Sequence, residues 1–319
     1  MKEKKILNCI QRLYLKALER NKNWQQEHWF PGGMRFPDKT FYIIRRSGMK
    51  LGLFSYFNTH LARMDYAIQN GMIPVVDMQN FRNSYLEEDE YALVNAWEKY
   101  FEQPTEYSLK EAYSARRVML SHSGAPGEAP NDGMDFFTDV DGNMTYWREQ
   151  CRKYIRLQPH VKEAFEKEYV RLFNKQDKVL GVLARGTDYV KLKPSQHPVQ
   201  PSVAELLEKA KETMQIYGCN KLFLATEDKD IADLFAKEFG NKCVTNTQEY
   251  VKYKGGYLSE IKSEKENDIY TRGLNYLITI LILAKCNCIV AGRTSGTVGA
   301  ALLTDGWEYS YFFDLGYYE

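Results

Sequence analysis

From residue 178 onward, apolar runs alternate with amphipathic stretches. Residues 179–184 (VLGVLA) are a short unbroken apolar run, as a strand buried on both faces requires. Ser202-Val203-Ala204-Glu205 is a capping box, and Leu206, Leu207, Ala210, Met214 and Tyr217 follow at helical spacing until Gly218. Residues 221–226 (KLFLAT) predict a strand, 231–239 a helix and 243–244 a short strand. Residues 269–284 are apolar almost all round, which predicts a buried helix. A strand over 289–291, a helix over 298–303 after a small-residue turn, and an edge strand over 309–314 complete the series. Such alternation implies a doubly wound, parallel α/β sheet.

The earlier part of the chain carries a second such pattern. Residues 40–46 (TFYIIRR) predict a strand and 47–52 a glycine turn. Phe54, Phe57, Leu61, Met64 and Ile68 recur at helical spacing up to a stop at Asn70-Gly71, and 72–77 (MIPVVD) predict another strand. Strand, turn, helix, strand is a βαβ unit, implying parallel strands and a right-handed crossover. Residues 2–20 place Ile6, Leu7, Ile10, Leu13, Tyr14, Ala17 and Leu18 on one stripe, expected to pack on its own domain; the alternative is a helix lying on a membrane. Residues 123–143 are rich in Gly, Pro, Asn and Asp and read as an irregular excursion. Phe136, Phe137, Tyr146 and Trp147, in or beside it, suit either a wall facing an acceptor or a plug in a small core.

An amphipathic helix around 161–173 precedes the fresh start at 178, so the division falls near Gln158. The expectation is an N-terminal α/β domain over 1–158, on the acceptor side, and a C-terminal Rossmann-like domain over 159–319. Two such halves facing one another leave a cleft, and ligands of these sheets bind beyond the carboxyl ends of the strands.

Composition narrows the function. Hydrophobic residues make up 44% and charged residues 27%, as in a well-cored globular protein. Lys plus Arg number 43 against 42 Asp plus Glu, which argues against broad nucleic-acid binding while leaving room for a local basic pocket. The six cysteines lack a pairing rhythm and fit a reducing cytoplasm. Cys286-Asn287-Cys288 leads into an apolar run and reads as strand filling rather than a metal site. No apolar run of about 18 residues and no signal-peptide core is visible, so a cytoplasmic protein with at most peripheral contact at the inner face of a membrane is expected.

Three segments follow predicted strands. Ala184-Arg185-Gly186-Thr187-Asp188-Tyr189 offers an arginine suited to clamping a phosphate, a glycine for close backbone approach, and Asp188 to orient the arginine or a sugar hydroxyl; a structural Arg–Asp pair is the plainer alternative. Ala225-Thr226-Glu227-Asp228 offers paired carboxylates for acid–base work or sugar hydroxyls, or a helix cap. Gly292-Arg293-Thr294-Ser295-Gly296-Thr297-Val298-Gly299 offers backbone N–H groups to an anion, with neither a Walker ending nor dinucleotide glycine spacing. Together the three favour a diphosphate site that needs no metal.

On these residues the chain resembles the donor half of α1,6-fucosyltransferases, the core-glycan and nodulation enzymes. The resemblance runs from Gly181 to about Ala301 and is carried by Gly181 through Asp188, by His197-Pro198, by Leu222 through Asp228, and by Thr294-Ser295 before a helix. Trp97 through Pro104 (WEKYFEQP) is similar to bacterial polysaccharide transferases. The resemblance implies a GT-B fold of two Rossmann-like domains, a GDP-fucose donor, inversion at the anomeric carbon, no cofactor and no metal. It implies that Arg185 holds the β-phosphate, that Asp188, Glu227 and Asp228 are the acidic residues of the site, and that Ser295 lies near the phosphates. Gly186, His197, Arg293, Thr294, Gly296 and Thr297 complete the expected donor-binding set. The acceptor is expected to be a glycan hydroxyl of a surface polysaccharide or its lipid-linked precursor.

The chain departs from the family at three positions. Gly186 replaces a second arginine, Lys193 stands where a catalytic glutamate is expected, and Thr279 stands where an aspartate would meet guanine. Rival readings are a transferase using another nucleotide sugar, a non-catalytic nucleotide- or glycan-binding relative, and a metal-dependent transferase suggested by Asp139-Val140-Asp141. That triplet sits in a Gly/Asn-rich turn and reads better as an Asx-turn.

Overall fold

The computed structural model describes residues 6–19, 25–46, 48, 51–186, 192–246 and 268–319. The chain divides into two compact units, one of residues 1–130 and 149–158, the other of residues 131–148 and 159–319. Residues 131–148, which a single cut near Gln158 would leave in the first domain, therefore group with the second unit.

The strands are β1 (His28–Phe30), β2 (Arg35–Ile44), β3 (Ile73–Val76), β4 (Ala115–Leu120), β5 (Val179–Leu183), β6 (Lys221–Ala225), β7 (Cys243–Val244), β8 (Cys288–Ala291) and β9 (Tyr309–Phe312). The helices are α1 (Cys9–Glu19), α2 (Leu53–Gln69), α3 (Leu109–Ser114), α4 (Met134–Thr138), α5 (Asn143–Tyr154), α6 (Pro159–Leu172), α7 (Val203–Tyr217), α8 (Lys229–Phe239), α9 (Asp268–Lys285) and α10 (Ser295–Leu303).

In the first unit the sheet order is β1-β4-β2-β3, with β2 parallel to both β3 and β4, and β1 antiparallel at the edge. The βαβ unit read from the sequence is present: Phe41 to Ile44 pair in register with Ile73 to Val76, and α2 lies between. Phe54, Phe57, Leu61 and Met64 are buried, while Ile68 is exposed. Helix α1 packs on its own unit, with Leu7, Leu15 and Leu18 in the core and the Gln11 amide donating to the carbonyls of Pro31 and Tyr113. Its buried face is rotated from the expected stripe, since Ile10 and Leu13 face solvent.

The second unit is a sheet of order β7-β6-β5-β8-β9, every neighbouring pair parallel. In chain order this is 3-2-1-4-5, so the strand order reverses between β5 and β8, where doubly wound sheets bind ligands. The capping box at Ser202 and Glu205 starts α7, and Gly218 ends it in the left-handed region at φ 65°. Helix α9 is buried continuously from Leu277 to Ala284, a run that is apolar except for Thr279.

Phe136, Phe137 and Trp147 are buried, and the Phe137 ring packs at a tilt with its centroid 4.4 Å from that of Phe312 of β9. The aromatic excursion thus plugs a core; Tyr146 alone of the four is exposed. Cys286 is buried, its thiol 3.3 Å from the Ile282 carbonyl, and Cys288 lies inside β8. Among the described residues, no helix is long and apolar enough to cross a membrane.

Candidate functional site at the strand tips of the second unit

Strands β5 and β8 run side by side, with Leu183 opposite Ala291 as their last registered pair. The chain therefore delivers Ala184-Arg185-Gly186 and Gly292-Arg293-Thr294 to adjacent positions at the reversal point. On the other side of β5, strand β6 delivers Thr226-Glu227-Asp228. The three segments singled out by sequence thus come together at one edge of one sheet.

Their side chains take different roles. Arg185 Nη1 lies 3.6 Å from Glu227 Oε2, and both side chains are mostly buried, at 19% and 17% exposure. The Gly186 N–H donates to the other oxygen, Glu227 Oε1, at 3.4 Å. A Cβ on Gly186 would lie 2.6 Å from Asp228 Oδ2 and 2.7 Å from Ile231 Cδ1, so only glycine lets this loop pass the start of α8. Asp228 is the N-cap of α8: Oδ1 accepts from the N–H groups of Asp230 at 2.9 Å and Ile231 at 3.3 Å. Asp188, expected beside them, lies outside the described residues.

The loop after β8 is ordered by its hydroxyls. Thr294 is the N-cap of α10, its Oγ1 accepting from the Thr297 N–H at 3.2 Å. Thr297 Oγ1 donates to the Gly292 carbonyl at 2.6 Å. Thr297 is thereby committed to the loop itself. The Ser295 and Gly296 N–H groups, at the open end of this nine-residue helix, have no acceptor among the described residues. Ser295 is half-buried while its neighbours in the loop are fully buried. Helix N-termini of this kind attract anions, since the unpaired N–H groups and the helix dipole act together.

Arg293 does something else. It is 1% exposed, with Nη2 3.0 Å from Asp314 Oδ1 and 3.3 Å from the Gly316 carbonyl, and Nη1 3.4 Å from the Tyr317 hydroxyl. Its guanidinium lies 5.0 Å from the Tyr317 ring centroid. Gln200 closes the other side by donating to the Arg293 carbonyl at 3.0 Å. The arginine thus fastens the tip of β8 to the C-terminal segment.

His197 sits on a loop that pairs with the same segment: its carbonyl accepts from the Tyr318 N–H at 2.9 Å, and its ring Nδ1 is 3.1 Å from the Ser195 carbonyl. Asp132 faces this corner. Burial raises its carboxyl above the usual range, while the charges of His197 and Arg293 pull it back. Asp132, Gln200, Asp314 and Tyr317 carry no sequence signal, because only the fold brings them to Arg293.

The remaining positions are resolved simply. Lys193 is exposed and left-handed, at φ 44°. Thr279 is buried in α9, where its hydroxyl donates to the Asn275 carbonyl at 2.8 Å and accepts from Asn246 Nδ2 at 2.9 Å. Asp139 Oδ1 accepts the Thr145 N–H at 3.1 Å, six residues on in the first turn of α5.

No protein-family model matches the chain, and no curated protein matches it in sequence. Among solved structures it is similar to the NodZ alpha-1,6-fucosyltransferase soaked with GDP-fucose, with 16% identity over 83% of this chain and 93% of that one and a TM-score of 0.49. It is also similar to the fucosyltransferase NodZ from Bradyrhizobium, at 16% identity over 83% and 94% with a TM-score of 0.47. POFUT1 in complex with GDP is similar at 13% identity over 87% and 99%, with a TM-score of 0.44.

Proposed function

We propose that this protein is a glycosyltransferase whose second unit holds the diphosphate of a nucleotide sugar. The observation that carries the reading is the convergence of Arg185, the Gly186 N–H and the open N-terminus of α10 at the reversal point of one parallel sheet. The motif order that resembles the fucosyltransferases makes GDP-fucose the donor. The acceptor is a glycan hydroxyl, in polysaccharide or glycoconjugate synthesis.

Transfer proceeds with inversion, the acceptor oxygen attacking the anomeric carbon opposite the departing diphosphate. Arg185 and the N–H groups of Ser295 and Gly296 meet the charge that grows on the leaving group. Preorganised donors of this kind are commonly worth ~3 kcal/mol each in a water-poor site. With that charge met by the chain itself, transfer requires no divalent cation. The acceptor proton passes to a carboxylate of the site or late to solvent; Asp228, bound into its cap, is the least suited of the acidic residues.

A second reading is a transferase of the same kind using another nucleotide. It is favoured by Thr279, whose hydroxyl is already satisfied by Asn275 and Asn246 and offers no carboxylate to guanine. A mass-spectrometric screen of nucleotide sugars against fragment glycans tests both. A deoxyhexose mass added from GDP-fucose supports the first reading, and another sugar from another nucleotide the second. No turnover with any donor, despite nucleotide binding, would leave a binding protein instead.

A further inference from the structure

We propose that Glu227 is an internal anion that competes with the diphosphate for Arg185 and Gly186 and so drives the nucleoside diphosphate product out of the site. The inference rests on the reading of these strand tips as a diphosphate site, and concerns how that site releases its ligand.

The geometry is that of an anion in place. One carboxylate oxygen of Glu227 faces the Arg185 guanidinium at 3.6 Å, and the other accepts the Gly186 N–H at 3.4 Å. A phosphate oxygen pair would seek the same two donors, a guanidinium edge and a neighbouring backbone N–H. With both side chains more than four-fifths buried, solvent screens little, and a carboxylate and a phosphate cannot share these donors without like-charge repulsion. Asp228 is held in place by its cap on α8, where Oδ1 accepts two backbone N–H groups. The sugar donor must displace Glu227 to enter; after transfer, the product carries more negative charge at the terminal phosphate, and the returning carboxylate opposes it most strongly.

The sign of one substitution separates competition from mere positioning. Glutamine keeps the shape and the acceptor oxygen of Glu227 and removes its charge. If the carboxylate only steadied Arg185, Glu227→Gln would weaken anion binding; if it competes, the variant binds more tightly. Calorimetric titration of the full chain with inorganic pyrophosphate, in chelator, reads this directly. Expected is roughly tenfold tighter binding to Glu227→Gln than to wild type, about 1.4 kcal/mol, with slower dissociation of a fluorescent GDP. Unchanged or weaker binding to Glu227→Gln, with binding lost in Arg185→Gln, overturns the inference and leaves the site standing. Equal binding to wild type and Arg185→Gln overturns the reading of the site itself. Should the glutamine variant not fold, Glu227→Asp, whose shorter arm withdraws the charge, is expected to shift affinity in the same direction, and a fall in affinity there counts against competition.

Discussion

Leu183 and Ala291 face each other as the last registered pair of β5 and β8, and each is followed two residues later by an arginine. The two arginines have opposite fates. Arg185 lies 3.6 Å from the Glu227 carboxylate, whereas Arg293 is sealed against Asp314, Gly316 and Tyr317. Arg293→Gln is therefore expected to cost roughly 1–3 kcal/mol of stability, the range for disrupting a buried charged hydrogen-bond network. Arg185→Gln, which loses a longer ion pair, is expected to cost less than Arg293→Gln. Urea denaturation of the two variants checks the contrast.

Gly296 lets α10 pass close to α9. A Cβ there would lie 2.4 Å from the Tyr276 hydroxyl and 3.2 Å from Ile280 Cδ1. Gly296→Ala is expected to destabilise by roughly 1–3 kcal/mol through overpacking. Adding Tyr276→Phe, which removes the clashing oxygen, is expected to restore part of that loss. The double-mutant cycle should be clearly non-additive.

Asp228 holds the first turn of α8. Asparagine caps as well as aspartate, so Asp228→Asn is expected to keep both stability and transfer, whereas Asp228→Ala should lose about 1 kcal/mol. Loss of turnover in a stable Asp228→Asn would give the carboxylate a part in the chemistry.

His60 of α2 is completely buried, 5.1 Å from the Trp97 ring, and neither ring nitrogen has a partner among the described residues. Burial, with the Arg46 charge adding to it, pushes the imidazole down to about 3. In the unfolded chain the ring takes up a proton near its ordinary value of about 6.5, so between those values the unfolded state binds more protons. Stability is thus fully present above pH 6.5 and falls on acidification, by up to about 1.4 kcal/mol per pH unit from this group. The difference in urea stability between wild type and His60→Gln, followed from pH 7 to pH 4, is expected to shrink or reverse as pH falls.

Elements with a strong period were legible in the sequence, and those depending on distant partners were not. The alternation from 179 to 312 made the second sheet legible: β5, β6 and β8 are apolar runs buried almost throughout, while the partly buried edge strands β7 and β9 follow from their place in the alternation. Strand β4 was hidden because Arg116 and Arg117 are adjacent and both exposed, which breaks the two-residue period. The buried face of α1 departs from the apolar stripe because Gln11, a polar residue, occupies the core by reaching the Pro31 and Tyr113 carbonyls. The three loops of the candidate site could be found from their place after strands. The division of labour between Arg185 and Arg293 could not, since it is decided by Asp314 and Tyr317, residues that sequence distance conceals.

In the proposed function, Arg185 clamps a diphosphate without a metal ion. The most direct test is calorimetric titration of GDP, in the presence of chelator, into wild type and Arg185→Gln. Binding by the wild-type chain with at least a tenfold loss in the variant, about 1.4 kcal/mol or more, is the predicted result. Equal affinities for the two proteins, or wild-type binding that appears only when a divalent cation is restored, would contradict it.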